Sequence, residues 1–368
     1  MEKDKEIYLD EIFKEYGKIE GFKIIKNLDK GRPSRIKLIS YNKKQQLAAK
    51  LIEKEKSEKF DEIEYIKDLA GPHIVHIKKI CQMINKPEKN YCLIIMEKGE
   101  LNDFSRFINY FHSKNLLKLI YPKWFDENVS DTILKYFARQ IIDGMMTLYQ
   151  NNYVHFGIKP ENILVFNNLI LKITDFSLLK KIDDNAIEIK IPGGTKGYTT
   201  REYLLDKRLN ASEARKQDYF ALGCTLFLLK YGFPLLKYSD KDNREKQTDE
   251  FIYLLDKKIN YIQSYKKVDK DFITFIINLL KINPDERLKF EEIYRNKWLN
   301  KNIDEINKII EDYYMNDLKF ILNLQLHDFF KQKNIIFEFN HPSNASNKKN
   351  KRYTRKCFSF KKKENEDD

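Results

Sequence analysis

The chain has 368 residues, 68 Lys and Arg against 55 Asp and Glu, and a net charge of +13. With 42% hydrophobic and 33% charged residues it reads as a soluble globular protein, long enough for a sizeable core beneath a highly charged surface. It has no apolar run of about eighteen residues to span a membrane, no apolar stretch after Met1 to act as a secretory signal, and no paired spacing among Cys81, Cys92, Cys224 and Cys357.

The cysteine pattern argues against a disulfide framework or a zinc site and for a reducing setting, cytoplasmic or nuclear. The positive charge comes with an excess of Lys, Asn, Ile, Tyr and Phe together. That reads as a compositional bias of the whole chain rather than a patch built for nucleic acid.

In chain order, residues 1–20 alternate charges with Ile7, Tyr8, Ile12, Phe13 and Tyr16, predicting a helical N-terminal extension. Strands are predicted at Phe22 to Leu28, Ile36 to Ser40 and Gln46 to Ile52. A helix over Phe60 to Ala70 is stopped by Gly71-Pro72, and two more strands follow around Ile74 to Met83 and Tyr91 to Met96. Residues 21–96 thus read as a small β-rich lobe.

From residue 97 to about 300 the pattern turns helical. Ser130 to Tyr149 carries Ile133, Phe137, Ile141, Met145 and Leu148 on one face behind a Ser130 cap. Phe220 to Tyr231 is apolar nearly all round, and Phe272 to Leu280 is a further apolar helix. Residues 301–340 predict an amphipathic helical extension. The segment 341–368, with nine basic and four acidic residues, predicts a disordered basic tail able to meet nucleic acid or an anionic surface.

The chemistry is concentrated in His155-Phe156-Gly157-Ile158-Lys159-Pro160-Glu161-Asn162, followed thirteen residues after Asn162 by Asp175-Phe176-Ser177. This resembles the catalytic loop and metal-binding triplet of the protein kinase family, with Gly157 where that family carries its catalytic aspartate. The resemblance covers residues 20–300. It implies a bilobal α+β fold and, through Lys159 with Thr195, the Ser/Thr branch.

It further implies ATP and magnesium as cofactors, with Asn162 and Asp175 as the metal ligands. Lys50, in Ala48-Ala49-Lys50, matches the strand lysine that meets the phosphates, and Glu62 its helix partner. Adenine is expected between Ile36, Ala48 and Leu164, with Met96 behind it and Glu97 at the lobe connection. In the phosphate-covering segment Asp29 to Ile36 only Gly31 survives of three glycines, which implies weakened nucleotide affinity.

Other matched positions are structural. Glu202 is expected to pair with Arg287, Asp218 to anchor the catalytic loop, and Ile66, Ile77, His155 and Phe176 to form an apolar column joining the lobes. Phe156 replaces the arginine that receives a regulatory phosphate, and residues 178–194 contain no Ser, Thr or Tyr to carry one.

A glycine at 157 has no side chain to take a proton. A positioned acid–base group contributes about 10²–10⁴-fold, so its loss predicts severe impairment of phosphoryl transfer. The leading expectation is a pseudokinase that binds ATP and Mg2+ and acts as a scaffold or allosteric partner of another protein. The alternatives are an active or slow Ser/Thr kinase of protein substrates, and a binding protein working through its basic tail.

Overall fold

The computed structural model describes residues 2–28, 35–41, 45–56, 65–66, 69–113, 125–126, 128–129, 131–237, 244–264 and 268–302, with 304, 306 and 308. Met1–Ile306 forms one compact unit, and Asn307–Asp368 falls outside it. The segment with Gly31, the position of Glu62, the Ser130 cap and the basic tail lie outside the described residues.

Helix α1 (Glu2–Glu20) brings Leu9, Ile12, Phe13 and Tyr16 onto one stripe at three- and four-residue steps. It ends at Gly21, whose φ of 75° and N–H to the Gly17 carbonyl (3.0 Å) close the last turn. The chain then enters an antiparallel sheet of β1 (Phe22–Asn27), β2 (Ile36–Tyr41), β3 (Gln45–Glu55), β4 (Ile77–Ile80), β5 (Ile84–Asn85) and β6 (Lys89–Met96). The order across the sheet is β1-β2-β3-β6-β4, with β5 also on β6.

Alternation along β3 divides the sheet into two working faces. Leu47, Ala49 and Leu51, with Ile39, Tyr91, Leu93 and Ile95 of the neighbouring strands, form one core cluster with the α1 stripe. Ala48 and Lys50 point the other way and pair in register with Met96 and Ile94. Tyr16 ties the outer layer down by donating to the Tyr91 carbonyl at 2.7 Å.

The apolar run Ile74 to Met83 is not one strand, as its composition predicts. Ile74 makes a lone bridge to Ile173 and Val75 donates to the Ile173 carbonyl at 2.9 Å, so this stretch pairs with the larger lobe before β4 begins.

The larger lobe contains α2 (Phe104–Ser113), α3 (Asp131–Gln150), α4 (Arg201–Leu204), α5 (Ala211–Tyr231), α6 (Arg244–Ser264) and α7 (Lys270–Leu279). Helix α5 starts in a capping box between Asn210 and Glu213 and ends at Gly232 with φ of 79°. Its side chains from Phe220 to Tyr231 are nearly all buried, so it forms the centre of the lobe. Trp298 closes the base by packing on Phe272 and Phe275.

Candidate active site

The loop from His155 to Asn162 is built on a buried carboxylate. Asp218, near the start of α5, accepts the backbone N–H of His155 at 2.7 Å and of Phe156 at 2.9 Å. Burial pushes the Asp218 carboxyl up to about 7, against the pull of those two donors. Phe156 sits at φ of 55°, a conformation rare for a bulky side chain, and the paired N–H bonds hold it there.

His155 is fully buried. Its Nε2 faces the Thr174 carbonyl at 3.1 Å and therefore carries the ring proton, which leaves Nδ1 as a bare acceptor with no partner. Burial lowers its pKa to about 4, so the ring is neutral. The ring also meets Phe176 edge-on with centroids 5.7 Å apart. Ile66, Ile77 and Phe176 share one cavity wall, so the apolar column expected between the lobes is assembled.

Gly157 lies between these groups. A Cβ placed on it would stand 3.1 Å from His155 Nδ1 and 3.2 Å from Asn162 Nδ2. Lys159 donates to Thr195 Oγ1 at 2.7 Å, bringing the loop against the end of the activation segment. Asn162 Nδ2 donates to the Gly157 carbonyl at 2.9 Å, which fixes the amide and leaves its Oδ1 available as an oxygen ligand.

Thr174 N–H donates to the Asn162 carbonyl at 2.9 Å, so the triplet at Asp175 is stitched directly to the catalytic loop. Asp175 itself is held at φ of 62°. Burial alone would raise its pKa, but the ammonium of Lys50 holds the carboxyl well below the usual range. Lys50 and Asp175 form an ion pair across the lobes. The expected partner of Lys50, Glu62, lies outside the described residues.

The adenine-side residues come together at the lobe junction. Ile36 pairs with Lys50, and Ala48 with Met96, on the sheet face opposite α1. Met96 is buried, lines the rear cavity beside Lys50 and Phe176, and accepts from the Thr174 hydroxyl at 3.9 Å. The connection passes close to Leu164: a Cβ at Gly99 would meet the Leu164 Cβ at 3.0 Å and the Val165 carbonyl at 3.1 Å, so a larger residue there would have to push its neighbours aside. The Glu97 carboxylate is engaged within the protein, its Oε1 accepting from His76 N–H and Lys172 Nζ, each at 2.7 Å.

Phe156 does something the sequence reading missed. It is buried in a cluster with Val154, Ile182, Ile189, Ile191 and Leu209. Where a phosphate receptor is expected, an apolar anchor joins the catalytic loop to the activation segment. Ile182, Ile189 and Ile191, in a segment without hydroxyl residues, were the available signal.

Arg287 and Glu202 form the expected buried pair, with Nη2 at 3.0 and 3.2 Å from the two carboxylate oxygens. Arg287 also donates to the carbonyls of Lys281 (2.7 Å) and Ile282 (2.9 Å). Glu202→Gln leaves that guanidinium without its counter-charge in a dry site. The expected cost is about 3–5 kcal/mol, read as a drop in urea midpoint at unchanged slope; a loss below about 1 kcal/mol would make the pair dispensable.

The protein kinase domain family matches residues 22–299, which include every element of this site. The chain belongs to the protein kinase family. Among its curated relatives, serine/threonine-protein kinase cds1 of Schizosaccharomyces pombe is 28% identical over 75% of this chain and 58% of its own length. The SNF1-like protein kinase ssp2 of the same organism is 28% identical over 78% of this chain and 46% of its own. The calcium/calmodulin-dependent protein kinase cmkA of Emericella nidulans is 27% identical over 65% and 52%. The chain therefore spans about half the length of these kinases. Helix α1 lies outside the kinase match and is an addition to it.

Proposed function

We propose that this protein is a serine/threonine-type member of the kinase family that binds ATP with magnesium and transfers phosphate poorly, acting chiefly as a scaffold or allosteric partner of another protein. The observation that carries the reading is the contrast between Asp175 and Gly157. Asp175 is an ionised carboxylate beside Asn162, whose Oδ1 is spare. Two hard oxygen donors suit magnesium, which usually takes one or two protein ligands and completes its shell with phosphate and water.

Among the described residues there is no cluster of three or more acidic, His or Cys side chains to hold a metal without a nucleotide. When bound, the ion neutralises phosphate charge. Asn162 and Asp175 would hold it, and Lys50 would meet the phosphates.

At position 157 no carboxylate is available, and the nearby His155 ring, its pKa lowered to about 4 by burial, is a poor proton acceptor. Glu161 is exposed, Asp175 is tied to Lys50, and Asp218 is tied to the backbone. A slow kinase acting on protein hydroxyls is the second reading, favoured by the ordered Lys159–Thr195 contact. Cys81, Cys92 and Cys224 are buried thiols, which supports placement in the cytoplasm or nucleus.

Nucleotide binding is tested by thermal shift. ATP with magnesium is expected to raise the melting temperature progressively, by about 2.7 kcal/mol of stability at a hundredfold excess over Kd. Asp175→Asn should lose the response. No stabilisation of the folded wild-type protein at millimolar nucleotide would overturn the proposal.

A further inference from the structure

The space left beside Gly157 is a built cleft. Gly157, Lys159, Thr195, Thr199 and Asp218, with the apolar side chain of Ile191, line a small cleft that opens partly to solvent. Lys159 spends one of three ammonium protons on Thr195 and keeps the others. The hydroxyl of Thr199 is buried there without a hydrogen-bond partner. The cleft thus offers a cation and an unused hydroxyl, and its one carboxylate, Asp218, is committed to the backbone N–H groups of His155 and Phe156.

A second observation concerns the approach to this cleft. Ile191 lines it, and the residue before it, Lys190, lies cross-strand from Arg208. Lys180 points its ammonium at the Lys190 carbonyl, 3.1 Å away. Like charges directly opposite on a ladder destabilise it. Among the described residues, neither these two lysines nor Arg208 has a carboxylate within 4.0 Å. Burial, then Arg208 and Lys190, pull the Lys180 pKa down, as expected for a cation crowded by cations.

We propose that the Gly157 cleft is a carboxylate site filled by the acceptor itself: an acidic peptide whose Asp or Glu, next to the acceptor hydroxyl, takes the place of the missing side chain. The flanking acids lie along Lys190 and Arg208. In the step, the substrate carboxylate accepts the hydroxyl proton. The hydroxyl oxygen forms a bond to the γ-phosphorus as the bond to the β-phosphate oxygen breaks, and ADP leaves. The proposal rests on the Mg·ATP reading above and deepens it by naming the substrate class: hydroxyls adjacent to a carboxylate.

The test uses the full chain, Mg·ATP and two peptides differing only in Glu or Gln beside the acceptor serine, with sodium formate as the probe. The Glu peptide is expected to be phosphorylated faster by up to about 10²-fold. Formate should accelerate the Gln peptide saturably, and Gly157→Asp should abolish both effects. Gly157→Ala, which adds only a Cβ, should weaken the formate response and keeps the test open if the aspartate variant does not fold.

Equal peptide rates with no formate response, in wild-type protein that binds Mg·ATP, would overturn the proposal. If nucleotide does not bind, the earlier reading fails and the site is judged by melting alone. A saturable formate stabilisation beyond equal sodium chloride, absent in Gly157→Asp, supports the carboxylate site. No such difference rejects it.

Discussion

Gly157→Asp is expected to raise phosphoryl transfer by about 10²–10⁴-fold on a peptide with no acid beside its acceptor serine. The rest of the loop is already arranged for it. Asp218 holds the turn, Lys159 reaches Thr195, and Asn162 is fixed on the Gly157 carbonyl. The backbone accepts the change, since Gly157 is not among the residues at positive φ.

The obstacle is local crowding: the new Cβ meets His155 Nδ1 at 3.1 Å and Asn162 Nδ2 at 3.2 Å, so both must yield by a few tenths of an ångström. His155 is fixed by Thr174 and packed on Phe176, whereas Asn162 is half-exposed and moves more easily. Because Asn162 is also the expected metal ligand, the gain should fall toward the lower end of the range. Radiolabelled transfer by the variant and by Gly157→Asp with Asp175→Asn checks this. A folded, nucleotide-binding variant no faster than wild type would mean that the proton acceptor is not what limits the chain.

Much of this site was legible because its chemistry lies in short, contiguous segments. The run from His155 to Asn162 and the triplet at Asp175 are readable by spacing, and Asp175 and Asn162 are joined by the Thr174 bond. Contacts between distant segments were not legible. Lys50 pairs with Asp175 across 125 residues, and nothing in either neighbourhood signals that choice.

Phe156 was readable as the loss of an arginine but not as a core residue, because its neighbours come from four separate stretches of chain. The run at Ile74 reads as a strand by composition. Its hydrogen bonds instead go to Ile173, and period-two hydrophobicity cannot reveal which partner a strand will choose.

The helical spacing of α1 was equally plain, while the surface it covers was not, and this leads to the largest expected loss of stability. Leu9, Ile12, Phe13 and Tyr16 are each no more than 2% exposed, packed on the side of β3 opposite Ala48 and Lys50. At roughly 1.5–3 kcal/mol per fully buried side chain, their gross contribution is about 6–12 kcal/mol before the entropy of ordering the helix is subtracted. That is of the order of a whole domain's stability of about 5–15 kcal/mol.

Phe13→Ala is the gentler test, with an expected cost of about 3–5 kcal/mol from the cavity it opens. It also removes the ring beneath the Lys37 ammonium, 4.9 Å from its centroid, where Lys37 is buried and relies on Asp10 and Asn27 for its partners. Deleting residues 1–20 should go further, uncovering Ile39, Leu47, Leu51, Tyr91, Leu93 and Ile95 as one apolar face. The truncated chain should bind a hydrophobic dye and lose near-ultraviolet dichroism at temperatures where the full chain is native.

Because β3 carries Lys50 on its other side, nucleotide-dependent stabilisation should weaken along with the fold. Melting of both variants within a degree or two of the full chain would mean that the sheet stands without its cover. Lys50 would then owe its position to the cleft alone.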